Sequence, residues 1–275
     1  MIDNAVAIYC FLDDYLKAIN HQEDKQRMMN DAEIMTTALL AALYFGGNHE
    51  RALCFARAHV FSRVLKKSCF SRRVHVIEEF MHSIFLSVGE TLKQFNTTME
   101  YVMDSFPVSV CHNIRIFNNR ILPRDEEYRG KCVSKSQYFY GFRVQVIATL
   151  DGIPVEFAIV PGSWHDSKGM HALTMNLPAG SRNISDSAYT DYAVEDLMKE
   201  CENIWHDSER KSNSKRTEPA YRRYYKSRIR KLIESTFAQI TAMIPRKIHA
   251  TTIKGFLLKL KFFIWSFTFK KVCFQ

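Results

Sequence analysis

The sequence predicts an α/β domain with a mixed β-sheet flanked by helices, preceded by an all-helical domain. Residues 1–98 contain almost no strand pattern, and their apolar residues recur at helical spacing. From Tyr101 the pattern changes to alternating strand segments, and the elements follow the order β-β-β-α-β-α-β-α. The length of 275 residues and the hydrophobic fraction of 47% exclude collagen-like, low-complexity and wholly disordered classes.

Four helices are predicted in the N-terminal region, with polar caps and glycines marking their ends. They cover residues 5–19, Asn30 or Asp31 to Gly46, Asn48 to Ala58, and Val74 to Phe95. Because a short turn at Gly46 and Gly47 joins two of them, they suggest a helix-turn-helix-like pair that binds DNA. An ordinary helical bundle is the open alternative.

The region that follows contains five predicted strands and three predicted helices. The strands cover residues 101–108, 138–150, 155–160, 182–186 and 203–206, and the helices cover 168–175, 191–201 and 219–244. Pro107 is expected to end the first strand, and Asp151-Gly152 is expected to form a hairpin turn. We place domain boundaries between residues 98 and 99 and between 245 and 246. The segment 246–275 is then a basic, aromatic C-terminal helix.

Positive charge is concentrated in the last quarter of the chain. The formal net charge is +9, from 38 basic and 29 acidic residues. The segment Glu209–Lys231 contains ten basic and two acidic residues, or +8, and Arg246–Lys271 adds seven basic residues without an acid. The remainder carries −6. This distribution points to a polyanionic partner that contacts the C-terminal part of the chain.

Several classes of protein are excluded by single features. The apolar segment Ile253–Phe269 is interrupted by three lysines and is shorter than the ~20 residues of a membrane span. No glycine-rich phosphate loop is present, so no nucleotide cofactor is expected. Seven cysteines without C-x-x-C spacing indicate reduced thiols rather than a zinc or redox site. No signal-peptide pattern is seen, and we expect a cytoplasmic protein without a membrane segment.

Three carboxylates stand at the ends of elements in apolar surroundings. Asp104 interrupts a hydrophobic strand, where an unpaired charge is costly. Asp186 ends another short strand, and Glu234 borders the apolar stripe of the long helix, four residues after Arg230. Oxygen ligands from two strand ends and one helix suit hard divalent cations, and two such ions promote phosphodiester cleavage. Asp166, in a polar loop, is expected to cap a helix rather than to bind a metal.

Four short segments occur along the chain in a fixed order. This order identifies a protein family more specifically than any one of the segments does. They are Asp104–Cys111, Tyr140–Arg143, Leu150–Pro154 and Arg230–Ile240. In this order the chain resembles bacterial insertion-sequence transposases of the DDE type, over about residues 100–270 and more loosely over the helical N-terminal region. The resemblance implies an RNase H-like catalytic fold and cut-and-join chemistry at the ends of a mobile element.

The resemblance also assigns roles to residues at matching positions. Asp104 and Asp186 match two catalytic aspartates, and Glu234 matches the catalytic glutamate. These three residues are then expected to hold two Mg²⁺ ions, for which Mn²⁺ substitutes. The resemblance further implies double-stranded DNA with terminal inverted repeats as the substrate, a homodimer on that DNA, and a nucleoid-associated location in the bacterial cytoplasm.

The basic segment leads directly into Glu234 and combines cationic with aromatic side chains. Its lysines and arginines are expected to contact DNA phosphates, which gives salt-sensitive binding with little sequence preference. Its tyrosines are candidates for stacking on a frayed end base. The predicted DNA contacts are Arg222, Arg223, Lys226, Arg228, Arg230 and Lys231, and the stacking candidates are Tyr221, Tyr224 and Tyr225.

Two alternatives to an active transposase stay open. One is a catalytically inactive, transposase-derived DNA-binding protein that uses residues 30–60 and the basic tail. It is favoured by departures from the family pattern: Arg143-Val144-Gln145 in place of Lys-x-His, Ala188 in place of glycine, and Ser227 and Thr241 in place of tyrosine and lysine. The other alternative is an RNase H-like nuclease that cuts DNA without joining it.

Overall fold

A computed structural model describes residues 1–24, 26–132 and 136–274 of the chain. The chain divides into two compact units, one formed by Met1–Phe85 with Ile240–Gln275 and the other by Leu86–Gln239. The second unit holds a mixed sheet flanked by helices, and the region before it is helical. The predicted fold class is therefore confirmed. The domain boundaries after residues 98 and 245 stay a prediction.

Helices make up the first unit, and two of them form much of its core. They are α1 (Ile2–Ala18), α2 (Asp31–Phe45), α3 (His49–His59), α4 (Lys67–Val76), the first part of α5 (Glu78–Phe95) and α9 (Ile253–Cys273). α2 and α9 pack together, and Ser266 of α9 donates a hydrogen bond of 3.1 Å to the carbonyl of Leu39. The apolar C-terminal segment is thus a core helix. Within the described part of the chain, no helix has the length and apolarity of a membrane span.

Side-chain caps set the starts of α2 and α3, as predicted. Asn30 accepts a hydrogen bond of 2.7 Å from the amide of Glu33, and Glu33 accepts one of 2.8 Å from the amide of Asn30. This reciprocal pair satisfies two amides that a helix start leaves without partners. Gly46 ends α2 with a left-handed φ of 56°, and Asn48 accepts from the amide of Arg51 to cap α3. The predicted glycine turn between α2 and α3 is therefore present.

Six strands form one mixed sheet in the second unit. They are β1 (Glu100–Cys111), β2 (Arg129–Cys132), β3 (Gln137–Thr149), β4 (Pro154–Pro161), β5 (Arg182–Ser185) and β6 (Trp205–Ser208). Antiparallel β3 pairs with one edge of β1, and β2 and β4 pair with successive stretches of β3. On the other edge of β1, β5 and β6 continue the sheet as parallel strands. The carboxyl ends of β1, β5 and β6 therefore point the same way.

The second part of α5 and three later helices complete the second unit. α6 (Asp166–Met170) precedes β5, α7 (Tyr192–Glu202) lies between β5 and β6, and the long α8 (Ala220–Met243) follows β6. Near its start, α8 is held by Lys226, whose ammonium lies 2.5 Å from Asp207 of β6. Further along, the ring of Phe237 contacts that of Phe106 on β1, with 5.0 Å between the ring centroids. α8 therefore crosses one face of the sheet from β6 to β1.

Several elements differ from the prediction: β2 was not predicted, and the helix predicted over residues 168–175 is α6, which ends at Met170. β1 continues through Pro107, because its pairing with β5 ends at Met103 and Pro107 does not have to donate to that neighbour. β6 begins at Trp205 rather than at residue 203, since Asn203 takes a left-handed φ of 55° to end α7. The single helix predicted over residues 74–95 is two helices, α4 and α5.

A buried ion pair ties the second half of α5 to β4. Lys93 is 1% exposed, and its ammonium contacts the carboxylate of buried Glu156 and donates to the carbonyl of Asn176 at 2.7 Å. Glu156 also accepts hydrogen bonds of 2.9 Å from Thr174 Oγ1 and 3.0 Å from the amide of Met175. Because both charges are removed from water, the loss of either one leaves the other uncompensated.

We expect Lys93→Met to lower the free energy of unfolding by about 3 kcal/mol, because Glu156 would stay buried without its cation. Denaturant titration of the full chain, followed by circular dichroism, measures this change. The matched control is Arg129→Met, which removes an ion pair with Glu126 whose side chains are 49% and 80% exposed. Exposed pairs contribute little to stability, so an equal loss in both variants would contradict the argument from burial.

Candidate active site

The fold places Asp104 and Asp186 next to each other on neighbouring strands. β1 and β5 run parallel, and the last pair in their register joins Met103 to Ser185. Asp104 and Asp186 are the next residue on each strand, and Asp186 keeps an extended backbone with φ −69° and ψ 161°. Because residues at one level of a sheet project to the same side, the two carboxylates share one face.

A third carboxylate, that of Glu209, continues this alignment beside β6. The register of β5 with β6 ends at the pair Ser185 and Ser208, and the Glu209 amide donates to the Ser185 carbonyl at 2.9 Å. Glu209 therefore lies level with Asp186, as Asp186 lies level with Asp104. The three acids form what we call the carboxylate row: Asp104, Asp186 and Glu209, at the same height on three parallel strands.

Arg230 of α8 lies against the carboxylate row. Its Nη1 atom is 2.8 Å from Glu209 Oε2, and its Nη2 atom is 3.5 Å from Asp186 Oδ2. Burial acts to lower the pKa of Arg230, but the charges of Asp186, Glu209 and Asp104 together raise it above its ordinary value. One guanidinium thus compensates three carboxylates.

Asp104 is ionised only at a cost. Burial raises the pKa of its carboxyl from 3.8 to about 6. The backbone amide of Ser105, 2.7 Å from Asp104 Oδ1, and the charge of Arg230 act to lower this pKa, whereas the charges of Asp166 and Asp186 raise it further. Carboxyls with a pKa shifted in this way are common at catalytic sites.

Asp166 lies in the surroundings of Asp104 and does not cap a helix. It accepts a hydrogen bond of 2.6 Å from Ser105 Oγ and lies 3.2 Å from Arg143 Nη1. α6 starts at Asp166 itself, with His165 as the N-cap residue, so the predicted capping role is wrong. Asp166 and Arg143 instead form an ion pair beside β1.

Tyr189 fixes the turn that follows Asp186. It ends the short 3₁₀ helix Ser187–Tyr189, its side chain is fully buried, and its hydroxyl donates to Gln145 Oε1 on β3 at 2.5 Å. Burial raises the pKa of Tyr189 well above its ordinary range, so the hydroxyl stays protonated and keeps donating. The turn that carries Asp186 is thereby attached to β3.

Glu234 lies one helical turn beyond Arg230 on α8, and its side chain is exposed. Three residues further, Phe237 contacts Phe106 of β1. The turn that carries Glu234 therefore lies between the contact of α8 with Asp186 and its contact with β1. Among the described residues, Glu234 does not join the two aspartates in a group whose ligand atoms all lie within 4.8 Å of one another.

The donor atoms of the two aspartates fit a hard divalent cation. Asp104 and Asp186 offer carboxylate oxygens, the ligand type that Mg²⁺ prefers and that also suits Mn²⁺. They share one face of the sheet, and the raised pKa of Asp104 shows that negative charge there is costly. A bound cation would stabilise that charge.

Another group of ligating side chains lies in the first unit. In the described part of the chain, His21, Glu23 and Asp31 are the group of three whose ligand atoms all lie within 4.8 Å of one another. Asp31 already pairs with Arg73 and with Arg27. We therefore interpret this group as an ion-pair cluster and not as a metal centre.

Lys226 does not belong with the predicted DNA contacts. Its side chain is 2% exposed, and its ammonium lies 2.5 Å from Asp207 and 2.5 Å from Glu218. It also donates to the carbonyl of Ser208 at 3.0 Å. Because a buried and paired lysine cannot reach a phosphate, the prediction of Lys226 as a DNA contact is wrong. Its charge anchors α8 to β6.

The outward side of α8 keeps exposed cationic and aromatic side chains. They are Arg222, Arg223, Arg228, Lys231, Tyr221, Tyr224 and Tyr225. Tyr225 is attached to β1, because its hydroxyl donates to the carboxylate of Glu100, and this bond raises the pKa of Tyr225 to about 12. Tyr221 and Tyr224, at 70% and 66% exposure, keep the rings open to a partner.

The first unit carries a second basic surface that the sequence reasoning missed. Residues 49–76, which form α3, α4 and the segment between them, contain seven basic residues and one acidic residue. The exposed cations are Arg51, Arg57, Arg63, Lys66, Lys67 and Arg72. The sequence signal for this surface is a local excess of positive charge. The net charge of residues 1–98 conceals it, because the segments on either side are acidic.

We expect Asp104→Asn to stabilise the protein more at neutral than at acidic pH. The pKa of Asp104, about 6 in the fold, exceeds its ordinary value of 3.8, so ionisation costs stability as the pH rises through this range. Without that cost, the free energy of unfolding should increase by about 3 kcal/mol at pH near 7.5 and by about 1 kcal/mol at pH near 4.5. Denaturant titrations at the two pH values measure the difference, and an effect independent of pH would contradict the raised pKa.

The comparisons with known proteins identify the family. A family model described as a transposase DDE domain matches residues 94–251, which is more than half of the chain. No curated protein and no solved structure matches the chain. The matched range contains β1 to β6, the carboxylate row and α8. The resemblance to DDE-type transposases is thereby confirmed, and the chain belongs to the family of proteins with a transposase DDE domain.

Proposed function

We propose that the chain cleaves and joins phosphodiester bonds at the ends of an insertion sequence, as an active transposase. The alignment of Asp104 and Asp186 on adjacent parallel strands carries this proposal. Glu234, on the helix that crosses the same face, completes the proposed catalytic set. The family gives the reaction class, and the carboxylates offer the oxygen ligands that metal-assisted phosphoryl transfer requires.

In this proposal Asp104, Asp186 and Glu234 hold two Mg²⁺ ions, for which Mn²⁺ substitutes. Bound ions supply activation of the attacking hydroxyl and charge stabilisation of the leaving oxygen. Asp104 projects from the middle of β1 and Asp186 from the end of β5, so the sheet positions both ligands before DNA arrives. Arg230, already beside Asp186, offers its guanidinium to the scissile phosphate.

The proposed reaction has two steps, and in each a bond to phosphorus forms as another breaks. Water attacks the phosphodiester at the end of the element, and the 3′ oxygen leaves as a 3′-hydroxyl. That hydroxyl then attacks a phosphodiester of the target DNA, whose own 3′ oxygen leaves. No covalent intermediate with the protein forms in either step.

Two basic surfaces support double-stranded DNA as the substrate. The first turns of α8, which precede Glu234, present exposed arginines and tyrosines, and the surface formed by α3 and α4 presents exposed cations. Both suit phosphate contacts, and the tyrosines suit stacking on an end base. We propose that the DNA carries terminal inverted repeats, that a homodimer holds two ends together, and that this happens at the nucleoid in the bacterial cytoplasm.

We expect the purified chain with Mg²⁺ to cut and join DNA that carries the ends of its own element. Asp104→Asn, Asp186→Asn and Glu234→Gln should each reduce cleavage by about 10³-fold, because each removes a proposed metal ligand. The matched control is Asp196→Asn, an exposed carboxylate of α7 that pairs with Arg216. Gel analysis of end-labelled DNA measures both cleavage and joining.

The outcomes of this assay separate the proposal from its alternatives. Cleavage that persists in Asp104→Asn would contradict the assigned site. Cleavage without joining would indicate the nuclease. Specific binding without cleavage by the unaltered chain would indicate the inactive DNA-binding protein, which the departures at Arg143-Val144-Gln145 and Ala188 favour.

We expect the combined change Arg222→Ala, Arg223→Ala and Arg228→Ala to weaken DNA binding and its dependence on salt. The slope of log K against log salt should fall by about 3, one for each lost phosphate contact. Fluorescence anisotropy at several salt concentrations measures the slope. Lys17→Ala with Lys199→Ala is the control, because both cations are exposed on helices outside the two basic surfaces. Equal slopes in both variants would contradict the assignment of α8.

A further inference from the structure

Glu209 has no part in the reaction proposed above, yet it makes the shorter of the two ion-pair contacts of Arg230. The distance from Arg230 Nη1 to Glu209 Oε2 is 2.8 Å, against 3.5 Å from Nη2 to Asp186 Oδ2. The side chains of Arg230 and Glu209 are 23% and 21% exposed, so the pair is shielded from bulk water. The guanidinium therefore makes its shorter contact with Glu209, at the end of β6, and its longer contact with Asp186.

The position of this guanidinium decides how much negative charge Asp186 retains. If Arg230 paired with Asp186 alone, it would neutralise the carboxylate that the proposed function assigns to a divalent cation. A carboxylate that is fully paired with an arginine attracts a second cation less strongly. Glu209 binds one side of the guanidinium at the β6 end of the carboxylate row, so that Arg230 is shared between Glu209 and Asp186 and does not pair with Asp186 alone.

The geometry of the sheet argues against Glu209 as a ligand that shares an ion with Asp104. Neighbouring strands lie about 4.8 Å apart, so Glu209 is displaced from Asp104 by two strand spacings, or about 10 Å. Asp186 is only one strand spacing from Asp104. At that distance one cation can bind both carboxylates. The row thus has a part suited to a metal and a part suited to an arginine.

We propose that Glu209 is a positioning residue: it holds Arg230 at the β6 end of the carboxylate row and so keeps Asp186 available to a divalent cation. The inference rests on the proposed function, because the cation belongs to that function. It concerns binding of the cation, and it can be measured without DNA and without turnover.

The test is a double-mutant cycle read out by calorimetric titration of the full chain with Mn²⁺. We expect Glu209→Gln to raise the Kd for Mn²⁺ about five-fold, because Arg230 then pairs with Asp186 alone. The same substitution in an Arg230→Gln background should change the Kd less than about two-fold, because no guanidinium is left to move. Glu209→Asp, which keeps the charge on a shorter side chain, should give an intermediate Kd.

The control is Asp196→Asn, an exposed carboxylate of α7 that pairs with Arg216 and contacts neither α8 nor the carboxylate row. We expect this change to leave the Kd for Mn²⁺ unaltered. Circular dichroism of each variant establishes that it is folded, and Glu209→Asp serves if Glu209→Gln is not.

Each remaining outcome has a defined meaning. Glu209→Gln could lower the affinity for Mn²⁺ equally in the unaltered chain and in the Arg230→Gln variant. This result would overturn the positioning role, because Glu209 would then act on the ion without Arg230, as a ligand or as a distant charge. No loss in either background would overturn it as well. Absence of Mn²⁺ binding by the unaltered chain would overturn the metal chemistry of the proposed function, and the positioning role would fall with it.

Discussion

Three acidic side chains in one row on parallel strands need a compensating cation. The register of β1, β5 and β6 puts Asp104, Asp186 and Glu209 at one height, with about 4.8 Å between neighbouring strands. Arg230 supplies the positive charge from a separate element, so the carboxyl ends of the strands and α8 depend on each other. The height at which α8 crosses the sheet, and with it the location of Glu234, follows from this compensation.

The same helix carries cations for two different purposes. Lys226 and Arg230 face the sheet and pair with its acids, whereas Arg222, Arg223 and Arg228 are exposed. Arg210 and Arg216, in the segment before α8, pair with acids of α7. Four of the ten cations between residues 210 and 231 are therefore used within the fold. The charge that reaches a DNA partner is correspondingly smaller than the +8 of the segment.

The fold class could be predicted because it rests on local periodicity. The two aspartates could be found for a similar reason, since a charge inside a hydrophobic strand is visible in the sequence. Glu209 could not, because Asn203 ends α7 and shifts β6 by two residues, which moves Glu209 from a presumed loop to the end of a strand. The roles of Lys226 and Asp166 could not be predicted, because their partners lie 8 to 61 residues away in sequence. The charge of a side chain also does not indicate whether it points into the fold or toward solvent.

The spacing of helix and strand explains why Glu234 is exposed. Lys226 and Arg230 are about 6 Å apart along α8, and their partners Asp207 and Glu209 are about 6.6 Å apart along the strand direction of β6. The two ion pairs therefore follow one another at matching spacing along the helix and the strand. α8 runs in the same direction as β6. One turn further, Glu234 lies beyond the level of Glu209, the residue that follows β6, and its side chain is exposed. Ligands of open α/β sheets bind beyond the carboxyl ends of the strands, and the proposed function places the metal and the phosphate there, with Glu234 as the ligand that α8 contributes.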